Sequence, residues 1–240
     1  MRDACDAPIV AIIMNTGTPH TAPVTISQPA TTSTPWAKVL ARIYDPFLYL
    51  GELCGMRRQR KEVLKQATGR ILEVGAGTGL NLAHYPDDID ELLLTEPDPA
   101  MRARLQRRVG RAGRQATVIG APAGLLPVAD ESIDTVVCTL VLCTVPAPDA
   151  ALREIARVLA PRGQLLFIEH VRAESAPLAY LQDRLAAPWR GFAGGCRCNR
   201  ATGQLMQACG FELDAVEATW HAMPMIVRPL IAGRATQPTN

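Results

Sequence analysis

Several features that would place a chain in a specialised class are missing from this sequence. No apolar run approaches the roughly 20 residues that a membrane-spanning helix needs, and the segment from Ile9 to Met14 is far too short. That segment also lacks the usual basic stretch before it, so we expect no signal peptide. With a net charge of only +2 and 48% apolar residues, the composition is typical of an ordinary soluble globular protein.

Aromatic residues are scarce, at 5% of the chain. The arginine-rich segment 102–114 contains none, so it lacks the stacking side chains that single-stranded nucleic acids use. We therefore expect an exposed helix face there and no nucleic-acid partner.

The seven cysteines are an odd number, which favours reduced thiols in a cytosol-like compartment over a disulfide framework. We therefore expect a cytoplasmic protein. Cys196, Cys198 and Cys209 have no histidine or fourth cysteine at zinc-finger spacing, so the sequence predicts no metal site.

The length of 240 residues is sufficient for one α/β domain with a full core and an extension. Residues 1–35 are rich in Thr and Pro and show neither a helix nor a strand period, which predicts a disordered or loosely attached arm. Residues 36–240 form the predicted folded domain.

The most informative stretch is residues 71–80, where a predicted strand runs into glycines at every second position. These glycines are Gly75, Gly77 and Gly79. Glycine permits positive φ and lets the backbone approach a ligand closely. Asn81 and residues 82–84 predict a helix that begins at the turn, and its unpaired N–H groups would face negative charge.

Dinucleotide-binding turns carry the pattern G-x-G-x-x-G, and Leu80 stands where that pattern needs its third glycine. The form G-x-G-x-G behind an acidic residue instead resembles motif I of the class I S-adenosylmethionine (SAM) methyltransferases. An ordinary strand-to-helix turn is the alternative. The resemblance implies a SAM site that includes Glu73, Gly75, Ala76, Gly77, Thr78, Gly79 and Asn81.

A second strand is predicted over residues 91–96, and it ends in Glu96. A carboxylate at the carboxyl end of this strand can accept hydrogen bonds from both ribose hydroxyls. We therefore predict that Glu96 binds the ribose and that Pro97 adjoins the cofactor. The alternative role is a helix cap, for which Asp98 is better placed.

Two further segments are predicted to border the cofactor. After the third strand, residues 116–120, many class I methyltransferases carry an acid that contacts the adenine amino group. Ala121 stands there, so adenine recognition is predicted to use backbone groups and apolar packing. The run 135–145 predicts a strand buried on both faces, and its end near Leu140 would lie beneath the methionine part of SAM.

The fifth predicted strand, residues 164–171, carries the candidate catalytic residue His170 near its end. A histidine of near-neutral pKa beside the ligand crevice suits a general base. The alternative is a packed histidine bonded to a backbone carbonyl. A thiol acceptor only has to lose its own proton, because the pKa of a free thiol is about 8.5.

Residues 36–66 predict helices, with Pro46 expected to break or kink the first of them. In many class I methyltransferases such a segment covers the active site, so this one is a candidate lid. Residues 173–195 predict another helix, which would shape the acceptor pocket. A basic cluster predicts either a solvated helix face or a patch for anionic lipid: Arg57, Arg58, Arg60 and Lys61.

Four segments together resemble the methyltransferase-like thiol S-methyltransferase group and its bacterial relatives. They are Leu-Glu-Val-Gly-Ala-Gly-Thr-Gly, Val-Val-Cys-Thr-Leu-Val-Leu-Cys-Thr-Val, Arg-Glu-Ile-Ala-Arg-Val-Leu-Ala-Pro-Arg-Gly and Phe-Ile-Glu-His-Val. The resemblance covers roughly residue 44 to the end. It implies a doubly wound α/β fold with a seven-stranded, mostly parallel sheet, and SAM-dependent methyl transfer (EC 2.1.1).

Three functional hypotheses follow from these patterns. The first is methyl transfer from SAM to a small-molecule acceptor such as an alkyl thiol. The second replaces that acceptor with a lipid headgroup or a quinone precursor and adds peripheral membrane contact. The third is a SAM-binding protein without turnover. It is motivated by Ala121, which replaces an acid, and by the lack of a definite general base in the sequence. The oligomeric state stays open.

Overall fold

A seven-stranded sheet forms the centre of the structure, a computed structural model that describes residues 32–237. The strand order is β3-β2-β1-β4-β5-β7-β6. The first five of these pair in parallel, whereas β7 runs antiparallel to both β5 and β6. The strands are β1 (Arg70–Val74), β2 (Glu91–Thr95), β3 (Thr117–Ile119), β4 (Ile133–Thr139), β5 (Leu159–His170), β6 (Glu212–Thr219) and β7 (Pro229–Thr236). The predicted doubly wound, mostly parallel sheet is confirmed.

Helices cover the sheet on both faces. Alternate side chains of the central strands are therefore buried in two different cores. In β4, Val136 and Cys138 belong to one buried cluster, and Val137 belongs to the other. A strand with both faces covered reads as a continuous apolar run, as β4 does. The described helices are α1 (Pro35–Gly51), α2 (Arg57–Leu64), α3 (Pro99–Ala112), α4 (Pro148–Val158), α5 (Ala176–Phe192) and α6 (Thr202–Ala208).

The first helix begins with a standard cap. The side chain of Thr34 accepts a hydrogen bond of 3.1 Å from the backbone N–H of Ala37, and Pro35 occupies the first turn. Pro46 was expected to break or kink α1, and it does not break it, since the helix continues through Pro46 to Gly51. The break falls instead within the π-type segment Glu52–Met56, because Gly55 has a φ of 134° that a helix cannot contain.

The prediction of a helix directly after the glycine turn is wrong. Residues Leu82–His84 form a single 3-10 turn, and Tyr85 then adopts an extended conformation. Pro86 follows it, and the residue before a proline is pushed out of the helical region. The negative charge of a ligand therefore cannot be met by an α-helix N-terminus at this point.

The fourth strand is shorter than the apolar run predicted. It ends at Thr139, and Leu140 has a φ of 60°, which lies in the left-handed region. The following residues leave the sheet while remaining buried, since Leu142 and Cys143 are both 0% exposed. Their apolar character reflects packing in a buried loop and not strand pairing.

The predicted arm, residues 1–35, lies outside the described residues except for its last four positions. Within residues 32–237, no helix is both long and apolar enough to cross a bilayer.

Candidate functional site

The glycine turn between β1 and the 3-10 turn depends on its glycines for two different reasons. All three have positive φ: 63° at Gly75, 58° at Gly77 and 85° at Gly79. A Cβ on Gly75 would lie 2.9 Å from the side chain of Val141, and one on Gly79 would lie 2.7 Å from Leu105. Nothing lies within 4 Å of such an atom at Gly77. The turn is therefore packed at both ends and open at its middle residue.

The open residue of the turn lies beside the predicted ribose-binding acid. The backbone N–H of Gly77 donates a hydrogen bond of 2.9 Å to Oε2 of Glu96, and the N–H of Asp98 donates one of 2.8 Å to Oε1. Glu96 directly follows β2 and is 7% exposed. Burial raises its pKa to about 7, against the opposing effect of the two N–H donors. The structure thus brings Gly77 and Glu96 together.

Beneath the turn, Glu73 belongs to a buried polar cluster. Its carboxylate accepts hydrogen bonds from Asn81 at 2.9 Å and from the hydroxyl of Tyr85 at 2.7 Å. Burial raises the pKa of Glu73 to about 7. The amide oxygen of Asn81 accepts a further bond of 2.8 Å from Arg60. Glu73 is 3% exposed, and its hydrogen bonds hold Asn81 and Tyr85 in place beneath the turn.

Arg60 and Tyr85 are site residues that the sequence patterns missed. Arg60 was grouped with the basic cluster on α2, yet it is 3% exposed and forms a buried ion pair of 2.9 Å with Glu52. The exposed patch or helix face therefore consists of Arg57, Arg58 and Lys61. The helical period of α2 was the available signal, since Arg60 lies on the same face as the buried Val63 and Leu64.

The first helix is fastened to the glycine turn through Asp45. Its carboxylate accepts a hydrogen bond of 2.5 Å from the hydroxyl of Thr78 and pairs with Arg108 of α3 at 2.6 Å. Asp45 and Thr78 also border a cavity of about 350 Å³ that four arginines of α3 complete: Arg104, Arg107, Arg108 and Arg111. The predicted lid segment thus lies directly against the turn.

The carboxyl ends of β4 and β5 are joined by a buried acid. Glu169 accepts backbone hydrogen bonds of 2.8 to 2.9 Å from three consecutive residues after Leu140: Val141, Leu142 and Cys143. Leu140 itself donates its N–H to the carbonyl of Ile168 at 2.8 Å. These bonds hold Leu140 at the carboxyl edge of the sheet, where the sequence predicted it.

Ala76 lies within the glycine turn and donates its N–H to the carbonyl of Thr95 at 2.8 Å. Two further predicted cofactor residues lie at the same edge. Ala121 is 3% exposed and packs in the core beside the end of β3. The carbonyl of Pro97 accepts a hydrogen bond of 3.0 Å from Arg102. Each therefore follows a parallel strand at its carboxyl end, which is where α/β sheets bind ligands.

Next to Leu140 lies a largely apolar pocket of about 60 Å³ between α1, α5 and the carboxyl ends of β4 and β5. Aromatic contacts hold the two helices together over it, with ring centroids 5.5 Å apart for Phe47 and Phe192. The lining residues are Leu40, Tyr44, Phe47, Leu48, Leu140, Thr144, His170, Trp189, Phe192, Ala193, Cys196, Trp220 and Met223. We call this the apolar pocket.

His170, the predicted base, lies in the wall of the apolar pocket. Its ring stacks on Trp220 at a centroid distance of 5.6 Å, and the residue is 4% exposed. Burial lowers its pKa to about 4, although the nearby carbonyls of Pro229 and Val227 act in the opposite direction. The ring is therefore a neutral imidazole at physiological pH.

The apolar pocket also contains polar atoms that need a partner. In residues 32–237, three buried side-chain atoms have no hydrogen-bond partner: Nδ1 of His170, Nε1 of Trp189 and Nε1 of Trp220. All three residues line this pocket. An unpaired buried polar group costs about 1–3 kcal/mol, so three such residues in one pocket wall make this pocket a candidate ligand site.

The described residues contain no cluster of three or more His, Cys, Asp or Glu side chains that could hold a metal ion.

Comparison with known proteins agrees with this geometry. A family model described as a methyltransferase domain matches residues 72–167. Thiol S-methyltransferase TMT1A of Homo sapiens is 31% identical over 222 residues, which cover 84% of this chain and 89% of that protein. Phosphatidylethanolamine N-methyltransferase of Cereibacter sphaeroides is also 31% identical, over 54% of this chain and 64% of that protein.

Solved structures show the same architecture. A SAM-dependent methyltransferase from Thermotoga maritima superposes with a TM-score of 0.64 at 22% identity, and the match covers 85% of this chain and 98% of that one. The strand order described above and the relation to TMT1A across most of both chains point to one conclusion. The chain belongs to the class I SAM-dependent methyltransferases (EC 2.1.1), enzymes whose methyl donor is S-adenosyl-L-methionine.

Proposed function

We propose that this methyltransferase transfers the methyl group of SAM to a small lipophilic thiol. The observation that carries the proposal is that the apolar pocket has no charged side chain in its described lining and only a weakly basic histidine. None of its described lining residues is Asp, Glu, Lys or Arg, and burial lowers the pKa of His170 to about 4. An alcohol would need a strong base, whereas a thiol is much the more acidic of the two and can ionise with the help of a weak base or of water.

The residues of the crevice fit the cofactor that the family uses. We propose that Glu96 accepts hydrogen bonds from the ribose hydroxyls, since its carboxylate oxygens each retain a lone pair beyond the bonds from Gly77 and Asp98. The open space above Gly77 admits a ligand close to the backbone. Ala121 is assigned to the adenine side and Leu140 to the methionine side.

SAM, when bound, supplies a methyl group that is already activated on a sulfonium. The protein therefore has to align the acceptor and exclude water. Leu140 belongs both to the proposed cofactor side and to the wall of the apolar pocket, so the two ligands meet there. A dry pocket also strips water from a thiolate, which strengthens it as a nucleophile.

One relative that matches most of the chain supports the same acceptor class. TMT1A, at 31% identity over most of both chains, is a thiol S-methyltransferase. His170 keeps its proposed role only for an oxygen or carbon acceptor, for which its lowered pKa makes it a weak base.

A matched panel of acceptors tests the proposal. Labelled SAM is incubated with the full chain and with hexanethiol, hexanol or hexylamine, which differ only in the reacting atom. We expect methylated product from the thiol and at least about 100-fold less from the others, in line with the 10²–10⁴-fold value of a positioned base. Preferential methylation of the alcohol or amine would contradict the thiol assignment.

A second candidate acceptor is a lipid headgroup amine or quinone precursor taken from a membrane surface. The observation that favours it is an exposed apolar stripe on α1, each member of which is 37–62% exposed: Trp36, Val39, Ile43, Phe47 and Leu50. Exposed basic residues follow on α2, namely Arg57, Arg58 and Lys61. A helix with an apolar stripe and basic residues suits an anionic bilayer surface. One relative methylates phosphatidylethanolamine, according to its name.

Vesicle co-sedimentation separates the two acceptor classes. Vesicles of phosphatidylglycerol and phosphatidylcholine are mixed with the full chain and with Val39→Glu/Leu50→Glu, two stripe residues outside the pocket lining. A membrane enzyme should sediment with anionic vesicles, less so in high salt, and the double variant should stay in the supernatant. Equal recovery with and without vesicles removes the membrane candidate.

A further inference from the structure

We propose that Cys196 and Cys143 form a thiol modification site in the wall of the apolar pocket, which reacts with small apolar disulfides. Their Sγ atoms are 4.0 Å apart, and both cysteines are free. The site rests on the proposed function in one respect only, since that function assigns the apolar pocket to the acceptor.

Backbone contacts hold the two thiols at close range. Cys143 lies in the loop after β4, and Cys196 lies in the loop after α5. The backbone N–H of Arg197 donates a hydrogen bond of 2.8 Å to the carbonyl of Cys143, and the side chain of Arg200 donates one of 3.0 Å to the carbonyl of Val145. A disulfide needs Cα atoms about 4.4–6.8 Å apart. The S–S bond itself is about 2.05 Å long, so the two Sγ atoms, now 4.0 Å apart, must approach each other by rotation of the two side chains.

A glycine makes this approach possible. Gly195 has a φ of 111°, and a Cβ at that position would lie 3.1 Å from the carbonyl oxygen of Thr144. Any other residue at position 195 would be strained and would push the loop of Cys196 away from that of Cys143. The closeness of the two thiols is thus a built feature of both loops.

The two cysteines differ in access. Cys196 lines the apolar pocket, whereas Cys143 is 0% exposed and lies behind it. A ligand in the pocket therefore meets Cys196 first. The contact with Cys143 lowers the pKa of the Cys196 thiol, against the opposing effect of burial. Burial raises the pKa of Cys143, so Cys196 is the attacking thiol and Cys143 the resolving one.

The chemistry balances without any group beyond the incoming disulfide. The Cys196 thiolate attacks one sulfur of R–S–S–R, which forms a Cys196–S–S–R bond and releases RS⁻. Cys143 then loses its proton and attacks the sulfur of Cys196, which forms the Cys143–Cys196 disulfide and releases a second RS⁻. The dithiol is oxidised by two electrons, and R–S–S–R is reduced to two thiols.

The ligand class follows from the walls around Cys196. Apart from His170, the pocket is formed by aliphatic, aromatic and small side chains, and its volume is about 60 Å³. A short alkyl disulfide suits such walls, whereas a large charged disulfide such as that of glutathione does not. Selectivity between these two reagents therefore reports on the pocket, because an exposed thiol such as Cys54 would accept both.

The experiment treats the full chain at pH 7.5 with dimethyl disulfide or with glutathione disulfide, and peptide mass mapping then locates each change. With dimethyl disulfide we expect a Cys143–Cys196 cross-link that lacks two hydrogens, and Cys143→Ser should instead hold a thiomethyl group on Cys196. Cys198 is an internal control, because burial raises its pKa to about 12. Cys54→Ser should behave as the wild type.

Two outcomes would overturn the inference. One is a chain in which Cys54 is modified while Cys143 and Cys196 stay reduced. The other is equal modification of Cys196 by both reagents, which would remove the role of the pocket. Mass mapping needs no methyl transfer, so a failed acceptor panel and a failed cross-link are independent results. Where turnover is measurable, the cross-linked protein should lose methyl transfer but keep SAM binding. Dithiothreitol should restore methyl transfer.

Discussion

The backbone N–H of Gly77 donates a hydrogen bond of 2.9 Å to the carboxylate of Glu96, across 19 residues of sequence. This bond joins the turn after β1 to the end of β2, so two separate sequence motifs form one crevice. The proposed SAM site is built around this bond.

The first prediction concerns the proposed ribose contact. Glu96→Ala should weaken SAM binding by about 1.5–3 kcal/mol, the range for hydrogen bonds to charged groups. Isothermal titration calorimetry measures this change directly. Glu217→Ala, an exposed residue of β6, is the matched control and should bind SAM as the wild type does. Identical dissociation constants for the two variants would show that Glu96 does not contact the ribose.

The second prediction is a pH dependence of SAM binding. The ribose hydroxyls need an ionised acceptor, and burial raises the pKa of Glu96 to about 7. The ionised fraction therefore rises with pH, and SAM affinity should increase about tenfold between pH 6 and pH 8, in proportion to the competent fraction. Glu96→Gln should bind SAM weakly and show no such slope. A wild-type affinity that falls over this range would contradict the assignment.

The third prediction concerns the fastening of α1 through Asp45. Asp45→Ala removes the contacts to Thr78 and Arg108 and should lower the free energy of unfolding by about 1 kcal/mol, a value reduced for partial solvent screening. Limited proteolysis should also cut α1 faster. Asp214→Ala breaks an exposed pair with Arg234 at 3.4 Å and should change neither quantity. Equal behaviour of both variants would show that Asp45 does not hold the helix.

The fourth prediction tests the loop after β4. Glu169→Gln replaces an acceptor of three backbone N–H bonds with an amide that must itself donate, which leaves a buried N–H unpaired. The free energy of unfolding in urea should fall by about 1–3 kcal/mol. Glu217→Gln on the exposed edge strand is the control. An unchanged urea midpoint would mean that the loop is held by other contacts.

The fifth prediction separates a thiol acceptor from catalysis by His170. Because the pKa of His170 is lowered to about 4, the imidazole does not titrate between pH 5.5 and pH 8. The acidic limb of turnover should therefore shift with the pKa of the acceptor thiol, and His170→Gln should keep that limb. If the acidic limb of turnover instead lies at one fixed pH for all thiols and disappears in His170→Gln, His170 is the base.

The positions of Glu96 and Leu140 could be predicted because parallel strands place their carboxyl ends at one edge of a sheet. Local patterns mark each strand, and the edge follows from the fold. Asp45 could not be found in this way. Its partners are 33 and 63 residues away, and a single acid on a helix gives no sign of them.

Element ends were harder to predict than element types. The apolar run after Thr139 continues into a buried loop, and a buried loop has the same composition as a buried strand. Arg60 was misassigned for a related reason, since its neighbours in the basic cluster are exposed while its own charge is neutralised by Glu52. Pairing of this kind depends on tertiary packing.

A crystal structure with S-adenosylhomocysteine is the most direct test of the crevice formed by Gly77 and Glu96. We expect both ribose hydroxyls within hydrogen-bonding distance of the Glu96 carboxylate, and the amino-acid end of the ligand against the turn at Gly77. A ligand bound elsewhere, or a Glu96 carboxylate with no contact to the ribose, would contradict the proposed cofactor site.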